Sequence, residues 1–212
     1  MKIIFIGPPG AGKGLQGKIF SKELKIPAIS TGDIFRDLAV ECNALGFEAK
    51  EKYWGRGNLV PDSITIKLVE NRLTKKDCNF GYILDGFPRT LPQAESLEKI
   101  TEVDHVFNFQ ISDEYVKKRL PHRKHCKDCK IVYGKGELAP TRANICNECN
   151  KPLFKRDDDQ NSEVVENRLK IYNEEIEQIT DFYRSKVLLR NIDANQDYKT
   201  LSNDIRLFLN KW

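Results

Sequence analysis

Seven residues near the amino terminus, Gly7-Pro8-Pro9-Gly10-Ala11-Gly12-Lys13, follow directly on the apolar run Ile3-Ile4-Phe5-Ile6. A buried strand that runs into a glycine-rich turn carrying one lysine is suited to holding phosphate. The glycines let successive backbone N–H groups converge, the following helix adds its positive end, and the lysine neutralises β- and γ-phosphate oxygens. A plain strand-to-helix connection is the competing reading, and it leaves the spacing and the lysine unexplained. The strict form of this loop carries Ser or Thr after the lysine to hold magnesium, whereas this chain has Gly14 and Leu15. Magnesium would then be held by nucleotide phosphates and water, with Asp85, at the end of the apolar run Tyr82-Ile83-Leu84, orienting the waters.

Four of the six cysteines form two pairs, Cys126-x-x-Cys129 and Cys146-x-x-Cys149, sixteen residues apart. This spacing predicts a tetrahedral thiolate site for zinc, each pair supplying one knuckle. Disulfides and four unconnected thiols are the alternatives. A reducing compartment argues against the first and the paired spacing against the second. His122 and His125 lie close by and are expected at the surface, since four thiolates already complete the coordination sphere. Cys42, in a polar turn, and Cys78, before a strand, read as inert thiols.

The elements that must position these groups alternate between strand and helix. Strands are expected at Ile3 to Ile6, Ala28 to Ser30, Tyr82 to Asp85, Val106 to Phe109 and Val187 to Ile192. Helices are expected at Lys13 to Leu24, Asp33 to Val40, Gly46 to Tyr53, Asp62 to Lys75, Leu91 to Ile100, Asp113 to Leu120, Ser162 to Arg184 and Tyr198 to Leu209. Such alternation implies an α/β chain with a parallel sheet covered on both faces, and a ligand beyond the carboxyl ends of the strands. Two segments do not fit the sheet. Residues 31–60 are helical but broken by glycines, and residues 121–159 hold the four cysteines and too little apolar surface to order themselves without a metal staple. The acidic run Asp157-Asp158-Asp159 is expected to cap the long helix that follows it. No internal repeat or low-complexity run is present.

With 212 residues, the chain can bury one substantial core with small inserted lobes. A formal net charge of +4 argues only weakly for a nucleic-acid partner. No apolar stretch reaches the length of a membrane span, and Met1 opens directly onto the first strand, so a cytoplasmic location is expected.

Added to the phosphate loop are Ser30-Thr31-Gly32-Asp33 with Arg36 one turn on, Asp85-Gly86-Phe87-Pro88-Arg89-Thr90 with Gln93 after it, and Arg156-Asp157-Asp158-Asp159-Gln160. Over essentially its whole length the chain resembles the adenylate kinases of the long-lid bacterial type, in their zinc-containing form. The Asp-Gly-Phe-Pro-Arg stretch is specific to nucleoside-monophosphate kinases, whereas the phosphate loop alone is shared by many nucleotide hydrolases. The resemblance implies a P-loop nucleoside triphosphate hydrolase-type sheet formed by residues 1–30, 61–120 and 160–212. A monophosphate-binding lobe would span 31–60 and a zinc-stapled lid 121–159. It implies reversible phosphoryl transfer from MgATP to AMP giving two ADP, by direct in-line attack with no protein nucleophile.

By the same resemblance, Gly10, Ala11, Gly12, Lys13, Gly14, Leu15, Arg119, Arg123, Val132 and Tyr133 would bind ATP. AMP would be bound by Thr31, Arg36, Asn58, Leu59, Val60, Gly86, Phe87, Pro88, Arg89 and Gln93, together with Arg156 and Arg168. The chemistry would be carried by Lys13, Arg89, Arg123, Arg156 and Arg168 with Asp85, and zinc by Cys126, Cys129, Cys146 and Cys149. Physical chemistry asks for the same thing. Phosphoryl transfer between two nucleotides needs several cations converging from different segments and the exclusion of water. Pro121, between Arg119 and Arg123, should end the helix there and place Arg123 at the hinge of the lid.

Some residues depart from the family pattern. Leu15 stands where threonine is usual, Leu120-Pro121-His122-Arg123 replaces a glycine-arginine hinge, Asn58 replaces a frequent lysine, and Asp193-Ala194-Asn195 lacks a frequent glycine. A UMP or CMP kinase is the alternative within the class, and a zinc-ribbon nucleic-acid-binding nucleotide hydrolase the alternative outside it. Small-molecule substrates ATP, AMP and ADP, no nucleic acid, no membrane and a monomeric chain are the expected associations.

Overall fold

A computed structural model describes residues 1–41 and 43–209. Cys42, expected in a turn, lies outside the described residues. The elements in chain order are β1 (Lys2–Ile6), α1 (Lys13–Leu24), β2 (Ala28–Ser30), α2 (Thr31–Val40), α3 (Ala44–Lys52), α4 (Asp62–Leu73), β3 (Tyr82–Asp85), α5 (Leu91–Ile100), β4 (His105–Gln110) and α6 (Asp113–Arg119). They continue with β5 (Lys124–His125), β6 (Val132–Tyr133), β7 (Phe154–Lys155), α7 (Asp157–Gln160), α8 (Ser162–Ser185), β8 (Leu189–Asp193) and α9 (Tyr198–Leu209).

Five strands form one parallel sheet in the order β2-β3-β1-β4-β8. Alternation along β1 decides which helices cover which face. Ile3 and Phe5 point to the side where Phe107, Phe109, Phe20 of α1 and Leu201 and Ile205 of α9 are buried. Ile4 and Ile6 point to the side where Leu84, Val69 of α4, Leu97 of α5 and Ile179 and Tyr183 of α8 are buried. Both faces of β1 are therefore dry, and its run of four apolar residues is the signature of a central parallel strand.

The carboxyl ends of β1, β2, β3 and β8 all open to one edge, where Gly7, Gly86 and Ala194 begin loops and Thr31 begins α2. A separate three-stranded antiparallel sheet, β6-β5-β7, is contained in the cysteine-bearing segment. It holds its own small buried cluster of Cys126, Tyr133, Cys146 and Leu153.

Local chemistry accounts for the places where element ends differ from expectation. The α2 helix begins at Thr31 rather than Asp33, because the Ser30 hydroxyl accepts from the Asp33 amide at 3.3 Å. Asn43 caps α3 in the same way through Leu45. The last strand starts at Leu189, two residues later than expected. Val187 instead takes φ +61° in the turn after α8 and leaves its side chain in solvent. The acidic run does not cap the long helix. Asn161 does, accepting from the amides of Glu163 and Val164 at 2.9 and 3.4 Å, while Asp157–Gln160 form a short helix of their own.

Candidate active site

The glycine-rich turn leaves β1 and returns as α1. Gly10 and Gly12 take φ +79° and +97°, and a Cβ on Gly10 would stand 3.1 Å from Leu120 Cδ2, so both positions require glycine. Serine, threonine or asparagine side chains cap α2, α5, α6 and α8, but α1 has no side-chain cap and no acid in its first turn. Its N-terminal amides thus face the cleft, where they suit an anion. Lys13, the first residue of α1, donates from Nζ to the carbonyls of Gly7 and Pro8, both at 2.7 Å.

A cleft of about 650 Å³ opens above this loop. One wall is Asp85 at the end of β3 with Gly86, Pro88 and Arg89 after it, and a second is Arg119, Arg123, Val132, Tyr133 and Arg156 from the cysteine-bearing segment and its base. Arg168 enters from α8, and Leu15 lines the floor beside Gly14. A side chamber of about 70 Å³ adjoins it, lined by Thr31, Arg36, Asn58, Leu59, Val60, Gly86, Arg89, Gln93 and Arg168 among others. The residues expected around ATP therefore gather at the loop end, and most of those expected around AMP at the chamber, although Pro88 and Arg156 line only the main cleft. Phe87 departs from this pattern. Its ring is fully buried in the core behind the wall, so only its backbone can serve the cleft. The Phe87–Pro88 peptide is cis.

Electrostatics show how closely the cations crowd. Burial, with Arg89, Arg123 and Arg168 nearby, pulls the Lys13 pKa down to about 8 against the opposing pull of Asp85. Arg89 is exposed to the cleft yet surrounded by protein, and loss of bulk water together with Arg168 lowers its pKa to about 10. Arg156 falls to about 9, from burial first and then from Arg36 and Arg123.

Acids that the sequence reading left out of the site hold this cluster together. Arg123 makes a two-pronged pair with Asp159, Nε to Oδ2 at 2.7 Å and Nη2 to Oδ1 at 2.6 Å, and Asp159 has no exposed surface. Asp159 also accepts from Arg168 at 3.0 Å, which reaches Asp158 as well. Asp33 pairs with Arg36 at 2.7 Å and with Arg156 at 3.3 Å. Burial alone would raise the pKa of Asp33 and of Asp158, but Arg36 and Arg156 outweigh it at Asp33, and Arg168 leads the arginines that outweigh it at Asp158. The signal available in the sequence was three acids flanked by Arg156 and, nine residues on, Arg168.

Arg119 and Arg123 do not share a helix face. A short turn, Leu120–His122, follows α6, and Arg119 turns instead to the carbonyls of Ala194 and Gln196 at 2.9 and 3.4 Å beneath the Tyr115 ring. The cysteine-bearing segment also reaches the α2 side of the cleft through the Arg156–Asp33 pair and a Lys130–Asp37 ion pair.

The four paired cysteines come together, their Sγ atoms all within 4.8 Å of one another. A tetrahedral zinc site with Zn–S near 2.3 Å has S···S edges of about 3.8 Å, and Cys126 Sγ and Cys149 Sγ lie 3.5 Å apart. Both knuckles share one backbone pattern: Lys130 N donates to Cys126 O and Asn150 N to Cys146 O, each at 3.0 Å, with φ near +60° at Lys130 and Asn150. Hydrogen bonding with Cys149, then burial, pushes the Cys129 thiol up, whereas hydrogen bonds from Tyr133 and from the amides of Cys149 and Glu148 outweigh burial and pull Cys146 down to about 6. The donor set, spacing and thiolate chemistry fit zinc. His122 is exposed as expected, but His125 is half-buried with its Nδ1 unpartnered, and neither belongs to the cluster. His125 folds inward because β5 turns it toward Arg156, Arg36 and Asp33.

A sequence-family model described as adenylate kinase matches residues 5–188, most of the chain. The chain belongs to the adenylate kinase family. An adenylate kinase of Archaeoglobus fulgidus is 41% identical over 216 residues, covering 100% of this chain and 99% of its own. An adenylate kinase of a Geobacillus species is 41% identical, covering 99% and 98%, and that of Methanosarcina mazei is 41% identical, covering 100% of both chains. Both members of the Asp33–Arg156 pair and all four clustered thiols therefore lie inside the span that the family model matches. No helix among the described residues is long and apolar enough to cross a membrane.

Proposed function

We propose that this chain transfers the γ-phosphoryl of MgATP to AMP, reversibly, giving two ADP. Membership in the adenylate kinase family makes it a nucleoside-monophosphate kinase. The observation that best supports the division of labour is that one cleft carries the uncapped start of α1 at one end and a separate chamber with Thr31, Leu59, Val60 and Gln93 at the other.

In this reading the amides of Gly10 to Leu15 and the Lys13 ammonium take the β- and γ-phosphates of ATP, while Val132, Tyr133 and Arg119 form the wall for its base. Arg36 and Arg89 take the α-phosphate of AMP, and the chamber takes its base. Arg123, Arg156 and Arg168 converge on the phosphoryl in flight, where stabilising developing charge is the protein's main contribution. Asp85 would hold the water shell of magnesium, which supplies further neutralisation of the phosphates. No side chain need become a nucleophile, because the AMP phosphate attacks directly.

Residues 121–159 act as a lid over the core of 1–30, 61–120 and 160–212, and 31–60 as the monophosphate lobe. Lid closure excludes water that would otherwise accept the phosphoryl. Zinc at Cys126, Cys129, Cys146 and Cys149 is structural, since four protein ligands leave no position for substrate. A cytoplasmic, monomeric enzyme acting on nucleotides and not on nucleic acid completes the reading. Turnover with AMP beside UMP, CMP and GMP at equal concentration tests it. The expected result is a preference for AMP of at least about a hundredfold in kcat/KM. Comparable rates with a pyrimidine monophosphate would move the chain to the alternative kinase class.

A further inference from the structure

Tyr133 belongs to two parts of the molecule at once. With Val132, Gly134 and Lys135 it lines the cleft. Its side chain is also buried beside Cys126, Cys146 and Leu153 in the small core of the cysteine-bearing segment. There the hydroxyl lies 3.4 Å from Cys146 Sγ and accepts from the Asn147 amide at 2.8 Å.

The second of these contacts decides the direction of the first. A phenol has one hydrogen to donate, and an oxygen that already accepts from the Asn147 N–H can direct that hydrogen at sulfur. Cys146 as a metal ligand is a thiolate and can only accept. The bond is therefore buried and charge-assisted, O–H to S⁻. The other knuckle has no counterpart: Cys126 accepts from the Cys129 amide at 3.4 Å and from no side-chain hydroxyl among the described residues. Both knuckles nevertheless share one backbone pattern, so the loop does not need the tyrosine in order to form.

We propose that Tyr133 is an outer ligand of the metal site, a positioning residue whose hydroxyl holds the Cys146 thiolate and through which the metal fixes the β6 wall of the cleft. The link to the cleft rests on the reading that this wall serves ATP. Partners of this kind orient a ligand and raise metal affinity, and losing one costs about 10- to 100-fold in binding. β6 is an edge strand of two residues, Val132–Tyr133, paired on one side with β5. An anchor from Tyr133 to the metal ligand therefore adds a hold on the wall that strand pairing supplies on one side alone.

The test is Tyr133→Phe in the full-length, zinc-loaded protein, a change that keeps the ring and removes the hydroxyl. Zinc affinity, measured without nucleotide by competition with a chromophoric chelator, should fall by about tenfold or more. In cobalt(II)-exchanged protein the sulfur-to-metal charge-transfer band should move to longer wavelength, because a thiolate deprived of its donor holds its electrons less tightly. Packing alone would leave that band in place. At saturating zinc the KM for ATP should rise about threefold, with that for AMP unchanged. The hydroxyl sits at Cys146 and Asn147, so its removal reaches ATP through the position of the wall.

Wild-type zinc affinity in the variant, or an unshifted cobalt band, would overturn the proposal. Weakened zinc binding with an unchanged KM for ATP would overturn the link to the cleft. A rise in the KM for AMP in place of that for ATP would leave the hydrogen bond standing and overturn the placement of ATP at this wall.

Discussion

Lys13 should give the pH profile of this enzyme a falling limb that an ordinary lysine would not. Its pKa of about 8, against an ordinary 10.5, means that roughly nine-tenths of it is protonated at pH 7 and roughly one-tenth at pH 9. Phosphate binds the ammonium and not the amine, so kcat/KM for MgATP, which reports ionisations of the enzyme before MgATP binds, should fall about tenfold between those two values. A lysine left at 10.5 would lose less than about 5% of its charge over the same interval.

The assay is a coupled rate measurement at saturating AMP from pH 6.5 to 10, on wild type and on Lys13→Arg. A guanidinium is the stronger base and keeps its charge to higher pH, so the fall between pH 7 and about 8.5 should be absent from the variant even if its absolute rate is low. Lys13→Met should lower kcat by about 10²- to 10³-fold at every pH. The linked effect on folding has the opposite sign. Between pH 8 and 10.5 the unfolded chain binds more protons at this residue than the folded one, so the Lys13 contribution to stability rises with pH across that window. A wild-type profile that stays flat to pH 10, or the same fall between pH 7 and about 8.5 in Lys13→Arg, would refute the burial of Lys13 beside Arg89, Arg123 and Arg168 as the cause of its lowered pKa.

Three further outcomes follow from particular contacts. Arg89→Ala should raise the KM for AMP while leaving that for ATP comparatively untouched, because its guanidinium borders the chamber; equal weakening of both nucleotides, read from initial rates, would place it in the wrong pocket. Asp159→Asn removes the buried anion shared by Arg123 and Arg168, and breaking such a pair costs about 3 kcal/mol or more, so Tm should fall by roughly 6–12 °C. Saturating ATP should recover part of that loss in calorimetry, because its phosphates supply the missing charge. Cys129→Ser should lower the bound metal, measured by elemental analysis, and the Tm, yet retain kinase activity at low temperature; full thermal stability in the metal-free protein would contradict a structural role.

Much of this was legible from local spacing. The run Ile3 to Ile6 could only be a two-faced buried strand, and the glycines after it could only turn. The paired cysteines specified their cluster, because a knuckle is a local object whose ligands are three residues apart. What spacing could not show was where long side chains end. His125 was expected at the surface and lies half-buried, because its position in a two-residue strand depends on the pairing of Lys124 with both Tyr133 and Lys155. The acids Asp158 and Asp159 read as a helix start, since negative charge there is favoured by any helix. Only the return of α8 past the base of the cysteine-bearing segment shows that they face Arg168 and Arg123 instead.

Those acids matter beyond their packing. A cleft that gathers Lys13, Arg36, Arg89, Arg123, Arg156 and Arg168 around one volume would repel itself, and the pKa values of Lys13, Arg89 and Arg156 are lowered by burial first, with that repulsion added to it. Asp33, Asp158 and Asp159 neutralise it from two directions: Asp33 from the start of α2, and the other two from the end of the cysteine-bearing segment. The Asp33–Arg156 pair joins the proposed monophosphate lobe to the proposed lid, so the same contacts that make the cations tolerable also bring the two walls together. Phosphate oxygens entering the cleft compete with these carboxylates for the same guanidinium N–H groups. Binding must therefore exchange one set of anions for another, and the geometry of the proposed lid and the charge balance cannot be altered independently.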